Sequence, residues 1–531
     1  MCCSNAAQGL QLNLYPNTYF MQKYLLLTLS IISFSFAYSQ TPEDALRTAW
    51  FTPNGTARYV ATGGVMGSLG GDITAANVNP AGLGLFKTNE FVFSPNFNLN
   101  RNKFSFRGTD TSVNRNAYQN GTTGWVFGIP RDKGEKWTSS AVSISVNQLA
   151  SYNNHVSYKG FNNFSSFSEQ YLEELVRDRA DTNAALSNYI FGSSLAFRTW
   201  LIDTSNDPVS GVWNGYQSLV TIPTGLNQQL DATTRGGYHE IAVGFANNME
   251  DKLYIGGSIT IPLSFYSRNL YYRESDATNS KTNDFNYFEF TEKTTSFGIG
   301  IGAKLGFIYK PKEQWRLGLA VHTPQFMNFK DKIRASLTTD TEGYAGVRSE
   351  SSDDLNNGKR GERTYNLMTP WRVIASGSYV FREVSDTRRQ RAFLSADIEY
   401  VNYRGARFSA NDENDITAKD YYKMVNGAVK DAYKGNFNFR LGGELKLHTF
   451  MLRLGGAYYG SPYKQKELKA NRILATGGLG YRNKGFFIDL SYAHTFVKDV
   501  NFPYMLNDKA NTFAVQGGSR GNVVATIGFK F

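Results

Sequence analysis

Residues 522–531 read NVVATIGFKF, with Val523, Ala525, Ile527, Phe529 and Phe531 at every second place and Asn522, Val524, Thr526, Gly528 and Lys530 between them. One face is apolar and the other mostly small or polar, a period of two that no helix produces. In a sheet closed on itself, the apolar face can rest against hydrocarbon while the other meets water or protein. Closure also pairs every backbone polar group, which lipid demands. The stretch therefore reads as one wall of an all-β transmembrane antiparallel β-barrel.

A terminal aromatic closing such a strand resembles the end of bacterial outer-membrane proteins. The resemblance implies that Phe531 helps the barrel assembly machinery recognise the last strand, and it implies the cell outer membrane. The front of the chain agrees: Met21, Lys23, an apolar run over 24–36 and then Ala37-Tyr38-Ser39-Gln40 read as n-region, h-region and cleavage site. Met21 is the expected start and Gln40 the first mature residue, so 1–39 form an upstream extension and a cleaved signal peptide. An N-terminal membrane helix is the other reading of the run, and its length and flanks argue against it. Cys2 and Cys3 both precede the run. The mature chain is expected to carry no thiol, no disulfide and no lipid anchor.

Composition fits an exported barrel. Mean hydropathy is −0.39, and no later run approaches the roughly 20 apolar residues that a spanning helix needs. Aromatic residues make up 15 %, with 32 Tyr and 38 Phe to supply interface girdles. The formal charge of +11 is spread through turns, loops and inward strand positions rather than clustered, so no nucleic-acid partner is expected. The 531 residues show no Pro/Ser linker and no internal repeat, which favours one large barrel over several domains.

Alternating segments predict about fourteen strands, an even number as single-chain bacterial barrels require. They lie near 90–100, 122–130, 137–149, 238–247, 252–272, 294–309, 315–337, 365–382, 391–403, 436–446, 450–460, 472–481, 485–496 and 521–531. Expected outward faces include Leu253, Ile255, Gly257, Ile259 and Ile261, then Trp315, Leu317, Leu319 and Val321, then Phe486, Ile488, Leu490 and Tyr492. Expected lumenal charges are Glu240, Arg316, Asp397, Glu399, Arg440, Glu444 and Asp489. Short links (131–136, 248–251, 310–314, 447–449, 482–484) are turns rich in charge, Asn and Gly. Long links (101–121, 150–237, 273–293, 338–364, 404–435, 461–471, 497–520) alternate with them. Turns then face the periplasm and long loops the exterior.

Two long links carry helix patterns. Residues 167–177 read as a helix capped by Ser168, residues 184–201 follow with spaced apolar side chains, and 420–433 is a second candidate. Phe167, Tyr171, Leu172, Leu175, Tyr189, Ile190, Phe197 and Trp200 either pack as a folded cap or form a landing surface for apolar ligands.

Residues 40–88 do not alternate. They hold an amphipathic helix candidate at 41–50, then a Gly-rich run from Gly63 to Asp72, then Ala75-Ala76-Asn77-Val78-Asn79-Pro80-Ala81-Gly82-Leu83. No Lys-Ser/Thr pair follows the glycines, so a phosphate cradle is a poor reading. Small residues and a fixed Asn-Pro turn suit a plug packed inside a lumen. Gly70-Gly71-Asp72 followed by Asn79-Pro80-Ala81-Gly82-Leu83 and then at once by the first strand resembles the hatch signature of the FadL/TodX family of outer-membrane transporters for hydrophobic compounds. The resemblance implies that 40–88 is the hatch, that 89–531 is a monomeric barrel set in outer-membrane lipid and lipopolysaccharide, and that a fatty acid-like or other apolar molecule enters passively. It also implies lateral release through a kink in the third strand. Residues 137–149 contain no Gly or Pro to mark such a kink.

The lumenal charges have two readings: ion pairs that hold the plug, with Arg58 and Asp72 as hatch partners, or capture of a ligand carboxylate by Arg316 or Arg440. His155, His239, His322, His448 and His494 are dispersed without metal-ligand spacing, and no nucleophile elbow occurs. No enzyme activity, metal or cofactor is expected; haem capture would need an axial ligand in the loops, where only His155 lies. The competing function is a secretion shuttle like the PorV-like relatives of the family, which bind cargo proteins at the outer loops.

Overall fold

The computed structural model describes residues 42–531 apart from 133–134, 208, 211, 382–390, 413, 466–467 and 469. The expected leader, Met21, Cys2, Cys3 and Thr41 lie outside the described residues.

Fourteen strands form one closed antiparallel barrel. They are β1 (Glu90–Phe93 and Pro95–Phe106), β2 (Thr109–Asn120 and Thr123–Pro130), β3 (Trp137–Ser151 and Asn154–Asn162), β4 (Leu226–Met249), β5 (Leu253–Asp276), β6 (Tyr287–Lys312) and β7 (Trp315–His322 and Phe326–Asp340). The second half comprises β8 (Gly361–Met368 and Arg372–Phe381), β9 (Ala392–Asn402 and Arg407–Ala410), β10 (Gly435–Leu447), β11 (Phe450–Tyr459), β12 (Arg472–Asn483), β13 (Phe486–Asn501) and β14 (Ala514–Lys530). β14 closes the ring on β1, with Glu90 opposite Lys530 and Asn96 opposite Val524. Phe531 continues the closure: its N–H donates to Asn89 O at 3.1 Å and its ring meets Trp125 edge-on.

The outward faces are as expected. Ile259, Ile261, Leu317, Leu319, Ile488 and Leu490 are 39–53 % exposed. With their neighbours they make a continuous apolar belt, far more greasy surface than water would tolerate on one patch.

The strands run well beyond that belt. β4, β5 and β6 have 24, 24 and 26 residues, against about 9–11 needed to cross a bilayer. Several expected loops are therefore partly strand. Residues 101–121 form a hairpin turned at Arg107 and Gly108, whose φ of 51° and 78° are both left-handed, as a two-residue hairpin turn requires. The link 150–237 is strand at both ends, leaving 163–225 as the loop proper, and β13 and β14 take up half of 497–520. Above the belt both faces of a strand meet water or other protein, so apolar alternation fades although pairing persists. The expected single strands 315–337 and 365–382 are instead interrupted around Pro324 and Pro370, which cannot donate to a ladder. Gln325 and Thr369 bridge that level, with Thr369 N–H donating to Gln325 O at 3.0 Å.

A cap closes the long-loop end. Its helix at Glu169–Arg177 is not capped by Ser168, whose φ and ψ are already helical. The Glu169 carboxylate instead accepts the Ser166 N–H at 2.9 Å, the reach-back half of a capping box. The helix expected at 420–433 begins earlier, at Ile416–Ala432, because Asp415 accepts the Ala418 N–H at 2.8 Å.

Candidate functional site

The leading segment makes three short helices, Pro42–Arg47, Ala57–Ala61 and Ala75–Val78, and a 3-10 turn at Pro80–Leu85. Ala57–Ala61 touches β11 to β14, while Ala75–Val78 and the 3-10 turn touch β3 to β6 on the other side. A segment in contact with opposite walls lies inside the barrel.

The expected hatch residues come together. Asn79 Oδ1 accepts the Ala81 N–H at 3.1 Å, and its Nδ2 donates to Gly67 O at 2.5 Å and to Phe307 O at 3.2 Å, so one amide caps the turn and ties it to β6. Pro80 follows where a missing N–H costs nothing. Gly71 N–H donates to Gly82 O at 3.2 Å, and Gly70, at φ 61°, sits so close that a Cβ there would lie 2.6 Å from that same oxygen. Asp72 accepts Thr56 Oγ1 at 2.7 Å and the Thr74 N–H at 2.9 Å.

Every expected lumenal charge is engaged. Lys304 pairs with Glu240 and donates to Asn77 O at 2.9 Å, while Asn77 donates to Glu240 at 2.8 Å. Arg316 donates to Leu69 O at 3.0 Å, and Asp397 accepts the N–H groups of Met66 and Gly67, both at 3.0 Å. Arg440 pairs with Glu399; Arg453 bridges Glu444 and Asp489, each at 2.6 Å. Of the two expected hatch partners, Arg58 reaches Glu444 at 3.4 Å, while Asp72 serves the plug's own turns. The contacts of Glu240, Arg316, Asp397 and Glu444 with the leading segment favour the plug-holding reading, while Arg440–Glu399 and Arg453–Asp489 tie wall strands to one another; removing one member of a buried pair strands the other at a cost of about 3–5 kcal/mol.

Sequence reasoning missed the glycines of the wall. A Cβ at Gly318 would fall 2.0 Å from Gly67 O, one at Gly442 2.0 Å from Thr62 O, and one at Gly306 1.9 Å from Asn79 Oδ1. The available signal is a Gly at an inward strand position, which marks close approach of another backbone.

Two cavities border the plug. One, of about 290 Å³, is lined by Leu46, Trp50, Phe51, Leu149, Tyr152 and Tyr463 together with Arg47, Arg472 and Arg520. The guanidinium of Arg472 lies 3.5 Å from the Trp50 ring centre. A smaller one, of about 90 Å³, reaches Lys304, His322 and Arg440.

The larger cavity abuts a seam in the wall. β2 and β3 share a ladder only from Pro130 opposite Ser139 to Thr123 opposite Val146. Above that, 109–120 and 147–162 run side by side with no ladder among the described residues. The seam begins inside the apolar belt, where Phe97 and Tyr118 face each other outward, 51 % and 54 % exposed. Side chains stitch it: Asn120 N–H donates to Gln148 Oε1 at 3.1 Å and Gln119 Nε2 to Gln148 O at 3.2 Å. The third strand is bulged at Gln148–Ala150 and broken after Ser151, without a Gly or Pro.

The cap residues pack on one another. Phe167, Tyr171 and Leu175 are buried, with Phe167 stacked on Tyr272 at 4.6 Å. Leu172, Tyr189 and Phe197 pack against the same core, Ile190 is half-buried, and Trp200 is exposed beside Tyr344. At its centre Glu274 accepts Ser166 Oγ at 2.5 Å, Phe167 N–H at 2.8 Å, Tyr272 OH at 2.7 Å and Gln228 Nε2 at 2.8 Å. Burial outweighs these donors and pushes its carboxyl up to about 7. Among the described residues no three His, Cys, Asp or Glu side chains are arranged to hold a metal.

No protein-family model matches the sequence, and no curated protein does. Among solved structures the chain is similar to a Pseudomonas aeruginosa FadL homologue, at 13 % identity over 90 % of this chain and 99 % of that one, with a TM-score of 0.53. It is also similar to the P. putida toluene transporter TodX, at 14 % identity over 91 % and 99 %, with a TM-score of 0.50. Identity this low speaks for fold alone, and the fold of this chain is that of the FadL/TodX-type barrels.

Proposed function

We propose that the protein is a passive outer-membrane channel for hydrophobic small molecules, fatty acid-like or otherwise apolar, which enter from the loop side and leave sideways into the membrane. The observation that carries this reading is the position of the 290 Å³ cavity, enclosed between the plug and the unladdered seam of β2 and β3. The plug is bonded to walls on both sides, so the axial path is filled while the wall beside the cavity is held only by side chains. An apolar molecule gains roughly 25 cal/mol for each Å² it removes from water. Sideways exit spares it a return to water.

Cells carrying this protein as their only hydrophobic-compound channel should take up radiolabelled oleate or toluene severalfold faster than empty cells. Asn79→Ala and Pro80→Ala should lower that uptake while the barrel still assembles. Uptake of both probes no faster than in empty cells would refute the reading.

One feature favours a secretion shuttle instead. The hairpin Ile202–Asn206 and Trp213–Ser218 carries Val209, Val212 and Trp213 in the open, 94 %, 64 % and 51 % exposed. Mass spectrometry of the purified protein separates the two: a bound amphiphile supports the channel, and a stoichiometric secreted polypeptide without amphiphile supports the shuttle.

A further inference from the structure

We infer that Asn54 of the plug is the latch of the seam between β2 and β3, so that one movement of the plug both opens the route to the cavity and unties the wall; this rests on the sideways exit proposed above. Asn54 is 6 % exposed and uses its side chain in full. Its Nδ2 donates to Asn120 O on β2 at 2.8 Å and to Gln148 O on β3 at 2.6 Å. Its Oδ1 accepts Asn96 Nδ2 of β1 at 2.6 Å, and its backbone carbonyl accepts Asn147 Nδ2 of β3 at 2.9 Å. A single amide from outside the sheet thus bridges two strands at the level where their own ladder has stopped. Backbone carbonyls inside a membrane need a partner, and Asn54 supplies what a neighbouring strand would.

The same segment divides the two cavities. Phe51, Thr52, Pro53, Asn54 and Leu149 line both. Displacing 51–54 therefore joins the cavities and removes both Asn54 donations from the seam. What then remains across it at that level is the pair of Gln148 contacts, at 3.1 and 3.2 Å, with Thr111 Oγ1 donating to Ser157 O at 2.7 Å farther along. Asn54 is a positioning residue: it acts on the exit through the wall and need not touch the passenger.

Leu149→Cys reports on the seam, since both cysteines of the chain, Cys2 and Cys3, lie in the expected leader. Its labelling by a pyrene maleimide dissolved in the bilayer should quicken about tenfold in Asn54→Ala, the effect of losing two modest hydrogen bonds. Asn54→Asp keeps the volume but cannot donate, and should do the same if the alanine variant fails to assemble. Ser68→Ala cuts plug contacts to Ser376 and Ser378 on the opposite wall and should leave labelling unchanged. Bridging Gln119→Cys to Leu149→Cys with a short bis-methanethiosulfonate, which forms a disulfide at each thiol and releases methanesulfinate, should abolish oleate uptake. If the bridge leaves uptake intact, the sideways exit itself falls. If the bridge blocks uptake but the Asn54 variants label at the parent rate, or Ser68→Ala quickens labelling as much, the latch alone is overturned.

Discussion

The plug and the cap are both enclosed by the barrel strands, yet they are held by different physics. The plug presses backbone against glycine and is fastened by discrete polar ties: Asn79 to Phe307, Asp397 to Met66 and Gly67, Arg316 to Leu69, Arg58 to Glu444. The cap is an aromatic core in which Phe167, Tyr171, Tyr272, Phe288 and Phe290 bury one another. Hydrophobic burial is spread over many atoms and has no single release point. A set of polar ties can be broken and remade one by one. In the proposed channel, movement belongs to the plug and shelter to the cap.

The largest expected effect tests the close approach. In Gly318→Val the new side chain meets Gly67 O, Gly67 C and Ser68 Cα, all backbone, within 2.0 to 3.0 Å. No flexible side chain can swing aside, so the plug must leave its seat at a cost of about 4 kcal/mol or more. The barrel should still insert, and planar-bilayer conductance should rise from background to that of an open pore. Conductance equal to the parent protein would break the contrast, because the plug would then be as compliant as a surface loop.

Phe167→Ala attacks the other side. Emptying the position that stacks on Tyr272 and meets Tyr171, Phe290 and Tyr504 should destabilise the cap by about 3 kcal/mol. Hydrogen exchange over 163–225 should speed up while conductance stays at background. A conducting Phe167→Ala variant would mean that the cap, and not the plug, seals the lumen.

This difference also explains what could be read from the amino acids. The lipid-facing faces were legible because hydrocarbon imposes strict alternation, as in β13 with Phe486, Ile488, Leu490 and Tyr492. Glu240, Asp397 and Arg440 were legible as inward residues by the same parity. The hatch was legible at Asn79-Pro80, where capping chemistry is local. Strand length above the belt was hidden, since Asn114 and Arg115 of β2 sit on a water-facing hairpin with no apolar rhythm. The wall glycines and Asn54 were hidden for another reason: their roles depend on partners far along the chain, Gly67 for Gly318 and Gln148 for Asn54.

The smallest effect sharpens the contrast through pH. The partners of Glu274 are hydroxyl, phenol, amide and backbone N–H groups, with no cation among the described residues, and burial lifts its carboxyl to about 7. Glu174, half-buried against Ser193 with Arg177 and Asp178 nearby, is likewise lifted to about 7. Both start from 4.5 in an open chain. Below that value neither form is ionised and the cap bears no penalty. As pH rises through the window from 4.5 to 7 the opened loop releases its protons first, so ionisation favours opening, and the penalty is complete above 7. Hydrogen exchange in 163–225, corrected for the intrinsic pH dependence, should therefore be about tenfold or more faster at pH 8 than at pH 4.5. Glu274→Gln, which keeps the shape without the charge, should flatten much of that slope. An unchanged slope in Glu274→Gln would place the pH response outside this carboxyl and leave the cap's stability to its aromatic core alone.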